Sequence, residues 1–567
     1  MRYLGLACDY DGTIAHHGEV DEQTLTALER VRASGRKLVL VTGRELDDLM
    51  LVFPRLDLFD RVVAENGALL YCPATREERV LGEPPLQEFV DRLAAAGVAP
   101  MSTGRVIVAT WEPNETAVLQ IIRELGLELQ VIFNKGAVMV LPAGVNKASG
   151  LAAALAELSL SPHNVVAVGD GENDHALLRL CECAVAVANA VPLLKERADV
   201  VLERRHGEGV VELIDKLVAH DLREFQPSLG RHDILLGRVD GQELRIHPYG
   251  GAILLAGPSG SGKSTAAVGI IERLAECGYQ FCLIDPEGDY EDVSAAVCLG
   301  DSKRPPGITE VVQLLRRPDQ NAIVKLYGLP LADRPGYFAT LLARLQELRT
   351  ETGRPHWVMV DEAHHLLPSG WDPAGISVPR ALSGVILVTV HPESVAPAAL
   401  ASVEILIAIG DAPDRTFRGF GSALELEVPA VDAALAPGEA IAWFRSNGAG
   451  PLRFKPEMAS IERRRHRRKY AEGELGDRSF YFRGKDGKLN LRANNLNLFL
   501  QLAEGVDDET WCYHLRRGDY SRWLRQTLKD ESVAEEVEQA EQSPAESAAE
   551  SRARVRHAIE KRYTGAA

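Results

Sequence analysis

The chain has no apolar run approaching the about 20 residues that a membrane-spanning helix needs, so no integral membrane segment is expected. It has no basic-then-apolar leader either. Its first residues run straight into an apolar strand, and no signal peptide is expected. Cysteine is sparse, with eight in 567 residues. The one close pair, Cys181 and Cys183, is spaced neither for zinc nor for a Cys-x-x-Cys redox motif, which points to a reduced, cytoplasmic setting. Positive charge is in deficit. A net charge of −18 argues against a protein that coats nucleic acid with its whole surface, and leaves room for a local basic path. What is present suits globular cores: 46% apolar and 25% charged residues. The length is too great for one core, and roughly three or four domains are expected.

The most specific pattern is Gly257-Pro258-Ser259-Gly260-Ser261-Gly262-Lys263-Ser264-Thr265. An apolar strand, Ala252 to Ala256, precedes it, and a segment with helical spacing from Ala266 follows. Strand, glycine-rich turn and helix are the context a phosphate-binding P-loop requires. Gly257, Gly260 and Gly262 let backbone N–H groups turn inward, and the helix N-terminus adds partial positive charge. Lys263 is then expected to reach the β- and γ-phosphates, with Ser264 on Mg²⁺ and Thr265 beside it. A glycine-rich turn without chemical purpose is the competing reading, and the completeness of the pattern counts against it. ATP with Mg²⁺ is the expected ligand.

Towards the N-terminus, three apolar strands each end in polar groups. Leu4 to Cys8 leads to Asp9-Tyr10-Asp11-Gly12-Thr13, Lys37 to Val41 to Thr42-Gly43-Arg44, and Val165 to Val168 to Gly169-Asp170-Gly171-Glu172-Asn173-Asp174. Between them, Asn146-Lys147 opens a helix. Taken singly, such an Asp or Thr is as readily a cap. Together they converge where parallel sheets bind ligands. This segment resembles the haloacid dehalogenase-like phosphatases, nearest the branch of Cof-type sugar phosphatases, sucrose-phosphate phosphatase and archaeal phosphoglycolate phosphatase. The resemblance covers residues 1–218 and implies a Rossmann-like core with a small α/β cap at about 76–141. It implies Asp9 as nucleophile, forming an aspartyl-phosphate, and Asp11 as general acid and base. Thr42 and Lys147 would hold the phosphoryl oxygens, and Asp9, Asp11, Asp170 and Asp174 a Mg²⁺ ion. The cap's modest size points to a small phosphorylated substrate. Arg44 and Glu65-Asn66-Gly67 also match the family's pattern near the cap.

Residues 219–233 are polar with Pro and Gly, and read as a linker. Asp240-Gly241 between alternating apolar residues reads as a hairpin. Beyond the P-loop, Phe281 to Ile284 ends in Asp285-Pro286-Glu287-Gly288-Asp289-Tyr290, and Trp357 to Val360 ends in Asp361-Glu362-Ala363-His364-His365. An apolar strand ending in Asp-Glu, paired with a P-loop, reads as a Walker B motif: Asp361 for Mg²⁺, Glu362 to polarise the attacking water. A further strand, Val385 to Val388, brings Thr389 to a γ-phosphate sensor position. Residues 234–455 resemble the HerA/FtsK group of RecA-like ATPases. That resemblance implies a RecA-like P-loop domain, a homo-oligomeric ring and a nucleic-acid partner. The sequence departs from it at Thr389-Val390-His391, where Thr-Gln is the pattern. Arg380, Arg415 and Arg418 are the arginine-finger candidates, or else plain surface residues.

The remainder reads as a small, α-rich C-terminal domain at 456–530, with its aromatics as core, and a charged helical or disordered tail at 531–567. Arg463 to Lys469 reads either as a contact to a phosphate backbone or as a solvated helix pairing with the chain's own acidic surface. The fold class expected is α/β multidomain. The functional expectation is a phosphatase fused to an ATPase. The alternatives are a nucleic-acid-processing ATPase with an end-trimming phosphatase, and a kinase–phosphatase fusion, which Glu362 disfavours.

Overall fold

The structure is a computed structural model. It describes the chain apart from residues 289, 291–292, 294–295, 302, 371–381, 432–434, 437, 446–447, 449, 458, 460–474, 476–478, 529–530, 544–546 and 561–567. Arg380, Asp289 and the basic run Arg463 to Lys469 therefore lie outside the described residues. Two units pack separately, residues 1–457 and 458–567. Among the described residues, no helix is long and apolar enough to cross a membrane.

The first sheet uses β1 (Gly5–Asp9), β2 (Lys37–Val41), β3 (Arg61–Ala64), β4 (Leu69–Cys72) and β5 (Glu77–Val80). A four-stranded antiparallel insertion follows: β6 (Met101–Thr103), β7 (Val108–Trp111), β8 (Leu129–Asn134) and β9 (Ala137–Pro142), in the order β6-β7-β9-β8. The chain then returns to the first sheet with β10 (Val165–Gly169), β11 (Cys183–Ala186) and β12 (Val200–Val201). The completed order is β12-β11-β10-β1-β2-β3-β4-β5, with every neighbouring pair parallel except β3–β4 and β4–β5. Strand succession reverses between β1 and β10, which opens a crevice at their carboxyl ends. The central strands are buried on both faces, as near-continuous runs such as Lys37-Leu38-Val39-Leu40-Val41 require.

The inserted cap begins later than the sequence suggested. Residues 77–80, expected within it, pair with β4 as the edge strand of the main sheet. All four are exposed, so no apolar alternation marks them as a strand. The cap closes over Phe89, Leu93, Val118 and Ile121 from its two helices, Gln87–Ala95 and Glu115–Leu125. Glu65, fully buried in the main domain, accepts from the backbone N–H groups of Arg105, Val106 and Ile107 and so ties the cap down.

The second sheet contains β13 (Ile234–Val239), β14 (Gln242–Ile246), β15 (Ala252–Ala256), β16 (Phe281–Asp285), β17 (Ala296–Leu299), β18 (Asn321–Lys325), β19 (Trp357–Val360), β20 (Val385–Thr389), β21 (Val403–Ile409), β22 (Ala440–Phe444) and β23 (Leu452–Pro456). Its order is β14-β13-β23-β22-β21-β15-β20-β19-β16-β18-β17. The seven strands from β21 to β17 are parallel; the other four form an antiparallel wing. Asp240 and Gly241, with φ of 49° and 85°, turn the β13–β14 hairpin.

Stretch 219–233 is fastened at both ends. Leu222 and Leu229 belong to the first sheet's core, and Arg231 donates to the carbonyls of Arg179 and Cys181 and pairs with Asp199. Beside it the two sheets meet through a polar knot. Glu182, 1% exposed, accepts from Arg2 at 2.8 Å and Tyr279 at 2.7 Å, and lies 2.7 Å from His163 Nδ1. His163 Nε2 lies 2.7 Å from the Cys277 carbonyl, and its ring stacks on Tyr279.

In residues 458–567, β24 (Phe480–Phe482) and β25 (Leu491–Ala493) pack with five helices around Phe480, Phe482, Phe499, Trp511, Tyr520 and Trp523, so these aromatics are core. The segment expected as a charged helical or disordered tail forms helices Glu531–Gln542 and Ala548–Ile559, which pack into this core rather than stand exposed. Val533, Val537, Ala540, Val555 and Ile559 are buried. Helical spacing of small apolar side chains supplies that face, and an Ala/Glu/Gln-rich composition conceals it.

Burial alone would push the Glu182 carboxyl up, but His163 and Arg2 hold it near 2. Its stabilising contribution is therefore full above the usual glutamate value and lost as pH falls from about 4.5 towards 2. Glu182→Gln is expected to cost about 3 kcal/mol at neutral pH. Urea unfolding across this pH range should show the two proteins converging in acid; parallel curves would refute the assignment.

Candidate functional site

The first cluster lies at the β1–β10 crevice. Asp9 ends β1 and is 4% exposed. Lys147 opens the helix Lys147–Glu157, where Asn146 caps the N-terminus by accepting from Ala148 and Ser149 N–H. Its ammonium, 1% exposed, donates at 2.6 Å to Asp9 Oδ1 and at 2.6 Å to Asp174 Oδ1. Asp174 is held in turn by the Asp170 and Gly171 N–H groups at 2.9 and 2.8 Å. Thr13 donates to the second Asp9 oxygen at 3.1 Å. Gly12, at φ +85°, passes close enough that a Cβ would collide with the Asp170 carboxylate.

Asp11 points away from this cluster. Arg44 grips its carboxylate bidentately, Nε at 2.7 Å and Nη2 at 2.8 Å. The Thr42 hydroxyl is buried and accepts from Arg44 N–H at 3.1 Å, leaving its own proton available to a further acceptor. Asp9, Asp170 and Asp174 place a carboxylate oxygen each within 4.8 Å of one another. Asp170 Oδ1 is buried without a partner. An orphaned carboxylate oxygen amid hard oxygen donors suits a Mg²⁺ ion. Burial, then the Asp174 charge, pushes the Asp9 carboxyl up to about 7 despite Lys147. Burial also opposes the Lys147 charge, yet Asp174 and Asp9 hold its pKa above the lysine norm.

Three contributors were not foreseen. Lys135, at the tip of the cap hairpin, donates to Asp170 Oδ2 at 2.8 Å and to the Asp11 carbonyl at 3.2 Å. Asn189 donates to Asp170 Oδ2 and to the Gly12 carbonyl. In the second cluster, described next, His364 joins two loops. A lysine within the short polar turn Asn134-Lys135-Gly136, between two apolar strands, was the one available sign of the first.

The second cluster gathers at the carboxyl ends of β15, β20, β19 and β16. Gly257 (φ 155°), Gly260 (77°) and Gly262 (94°) shape the loop after β15. A Cβ on Gly257 would collide with the Ile409 carbonyl. Lys263, Ser264 and Thr265 begin the helix Lys263–Glu276. Lys263 Nζ donates to the Pro258 carbonyl at 2.8 Å. Burial lowers its pKa, while Glu362 and Asp361 work the other way, which places these carboxylates within electrostatic reach. Asp361 follows β19; burial pushes its carboxyl up to about 7, and its Oδ1 is buried without a partner. Thr389 ends β20, adjacent to β15 on one side and β19 on the other. His364 Nδ1 lies 3.0 Å from Thr389 Oγ1 and 3.4 Å from Glu362 Oε2, bridging the two strand ends. Burial lowers the His364 pKa to about 4, so this bridge is neutral. Arg415 and Arg418 are on the exposed face of a helix, where Arg418 pairs with Asp414.

The first cluster and its sheet place the chain in a known class. The family model for haloacid dehalogenase-like hydrolases matches residues 6–95 and 106–214, and the chain belongs to that family through this part. Phosphoglycolate phosphatase 2 of Saccharolobus solfataricus is 31% identical over 226 residues, which is 38% of this chain and 92% of that protein. The phosphoglycolate phosphatase of Methanothermobacter thermautotrophicus is 32% identical over 227 residues, covering 38% and 98%. That of Pyrobaculum islandicum is 29% identical over 226 residues, covering 39% and 98%.

Removing the Lys147 charge would leave two buried carboxylates facing each other. Lys147→Met is expected to lower stability by about 4 kcal/mol in EDTA, with millimolar Mg²⁺ restoring part of the loss. Paired urea melts with and without the ion check this. An unchanged midpoint in EDTA would count against the ammonium as the cluster's counter-charge.

Proposed function

We propose that the chain is a bifunctional enzyme. Residues 1–218 hydrolyse a small phosphomonoester with Mg²⁺, with phosphoglycolate or a sugar phosphate as the substrate class, and residues 234–455 form a RecA-like, HerA/FtsK-related P-loop unit that hydrolyses ATP. The observation that carries the first activity is the buried ammonium shared by Asp9 and Asp174 beside the orphaned Asp170 oxygen. The family membership and the phosphoglycolate phosphatase relatives support it.

In this reading Asp9 attacks phosphorus, the bond from phosphorus to the leaving oxygen breaks, and Asp11 gives that oxygen a proton. Water then attacks phosphorus of the aspartyl-phosphate, the bond from phosphorus to the Asp9 oxygen breaks and frees the carboxylate and inorganic phosphate, and Asp11 takes the water's proton. Arg44 holds both Asp11 carboxylate oxygens, so in this reading Asp11 leaves that fork and turns to the leaving oxygen when substrate is bound. Thr42, whose oxygen already accepts from Arg44 N–H, turns its proton to a phosphoryl oxygen, and Lys147 supplies charge to another. Asp9, Asp170 and Asp174, with Asp11 through its carbonyl, would hold Mg²⁺. The ion supplies the positive charge that lets an anionic carboxylate approach a phosphate dianion. The cap excludes water from the crevice.

For the second activity, support comes from the loop geometry of Gly257 to Thr265 and the neighbouring strand ends. Phosphates would draw Lys263 from the Pro258 carbonyl, and Ser264 and Asp361 would hold Mg²⁺. Glu362 would orient the attacking water, with Thr389 and His364 beside it.

Asp9→Asn is expected to lower phosphomonoester hydrolysis on the order of 10³-fold and leave ATP hydrolysis intact. Lys263→Ala is expected to do the reverse. A phosphate-release assay on each variant, with both substrates, decides; loss of both activities in a folded variant would refute two independent sites.

A further inference from the structure

The cap hairpin turns at Lys135 and Gly136, whose φ angles of 51° and 86° form a tight two-residue turn. That turn carries the lysine over the carboxylate cluster of the main domain. Its ammonium donates to Asp170 Oδ2 at 2.8 Å and to the Asp11 carbonyl at 3.2 Å. The Lys135 side chain is 44% exposed while Asp170 is buried, so the charge stands at the boundary between the cluster and the open mouth. Beside it, Asn134 Oδ1 and Asn173 Oδ1 are buried without partners.

Both oxygens that Lys135 holds are ones a divalent cation would claim. An ammonium and a metal ion cannot share them, because like charges at such a separation repel strongly in a partly dry site. With the cluster's charge supplied by a metal, the ammonium must turn towards another anion. On the main-domain side, Lys147 and Thr42 are already placed for the phosphoryl group. Lys135 approaches from the cap side, where the departing part of a substrate would lie.

We propose that Lys135 is the specificity-determining residue of the phosphatase site, an ammonium that binds the carboxylate of an anionic leaving group. The inference rests on the phosphomonoesterase reading above. It also makes Lys135 a competitor of the metal in the substrate-free enzyme.

The test compares 2-phosphoglycolate with 2-hydroxyethyl phosphate, which replaces the carboxylate by a neutral group, using the full-length protein. Lys135→Met is expected to reduce the preference for the carboxylate-bearing ester, as a ratio of kcat/KM values, by about tenfold or more, chiefly through KM. Lys135→Arg should retain the preference. Titration calorimetry without substrate should show Mg²⁺ binding several-fold more tightly to Lys135→Met than to the wild type. An unchanged ratio, equal losses on both esters, or unchanged Mg²⁺ affinity would overturn the proposal. Wild-type protein that hydrolyses the neutral ester yet shows no preference for the carboxylate would overturn it while leaving the phosphatase reading standing. Failure to hydrolyse any phosphomonoester would bring down both.

Discussion

One buried ammonium holds the first cluster together. Asp9 and Asp174 arrive from two different strand ends, and burial disfavours the Asp9 carboxylate as an anion. Without a positive charge between them they would repel, and one would protonate. Lys147 resolves this with two contacts of 2.6 Å. Its position is fixed by the Asn146 cap, and Gly67, at φ +108°, lets the turn after β3 press against the Asn146 carbonyl. Three segments distant in sequence are thereby set in register by a single side chain. The cluster's remaining groups, Thr13, Asp170 and Asn189, are placed relative to that frame.

How much of this was legible follows from what each residue does locally. Parallel strands buried on both faces must be continuous apolar runs, so β1, β2, β10, β15 and β20 stood out, together with the polar groups at their ends. The glycine-rich loop was legible because positive φ is a demand that few residues other than glycine meet. Lys135 was not, since its role depends on where an inserted hairpin comes to rest. The edge strand β5 was hidden because an exposed strand needs no apolar alternation. The burial of the helices after residue 530, expected as solvent-exposed, was hidden because alanine and valine bury as effectively there as larger residues, without an aromatic to announce a core.

The contact between the two sheets was also invisible, because its key acceptor is a backbone carbonyl. His163 faces the Glu182 carboxylate with one ring nitrogen and the Cys277 carbonyl with the other, each at 2.7 Å. A carbonyl accepts only, and a carboxylate held near 2 accepts only. Both ring nitrogens therefore face acceptors. Cys277 is the C-cap of the helix Lys263–Glu276, so the ring meets that helix at its carboxyl end.

That placement links the two clusters' elements end to end. The same helix begins at Lys263, in the glycine-rich loop, and ends against His163, two residues before β10 begins. Fourteen helical residues make a strut of about 21 Å. At its far end the strut meets Glu182, Tyr279 and Arg2, where breaking the Arg2–Glu182 pair would strand a buried carboxylate. β10 in turn carries Asp170 and Asp174 at its other end. The helix from the glycine-rich loop and the segment leading into β10 therefore meet at this one buried polar knot.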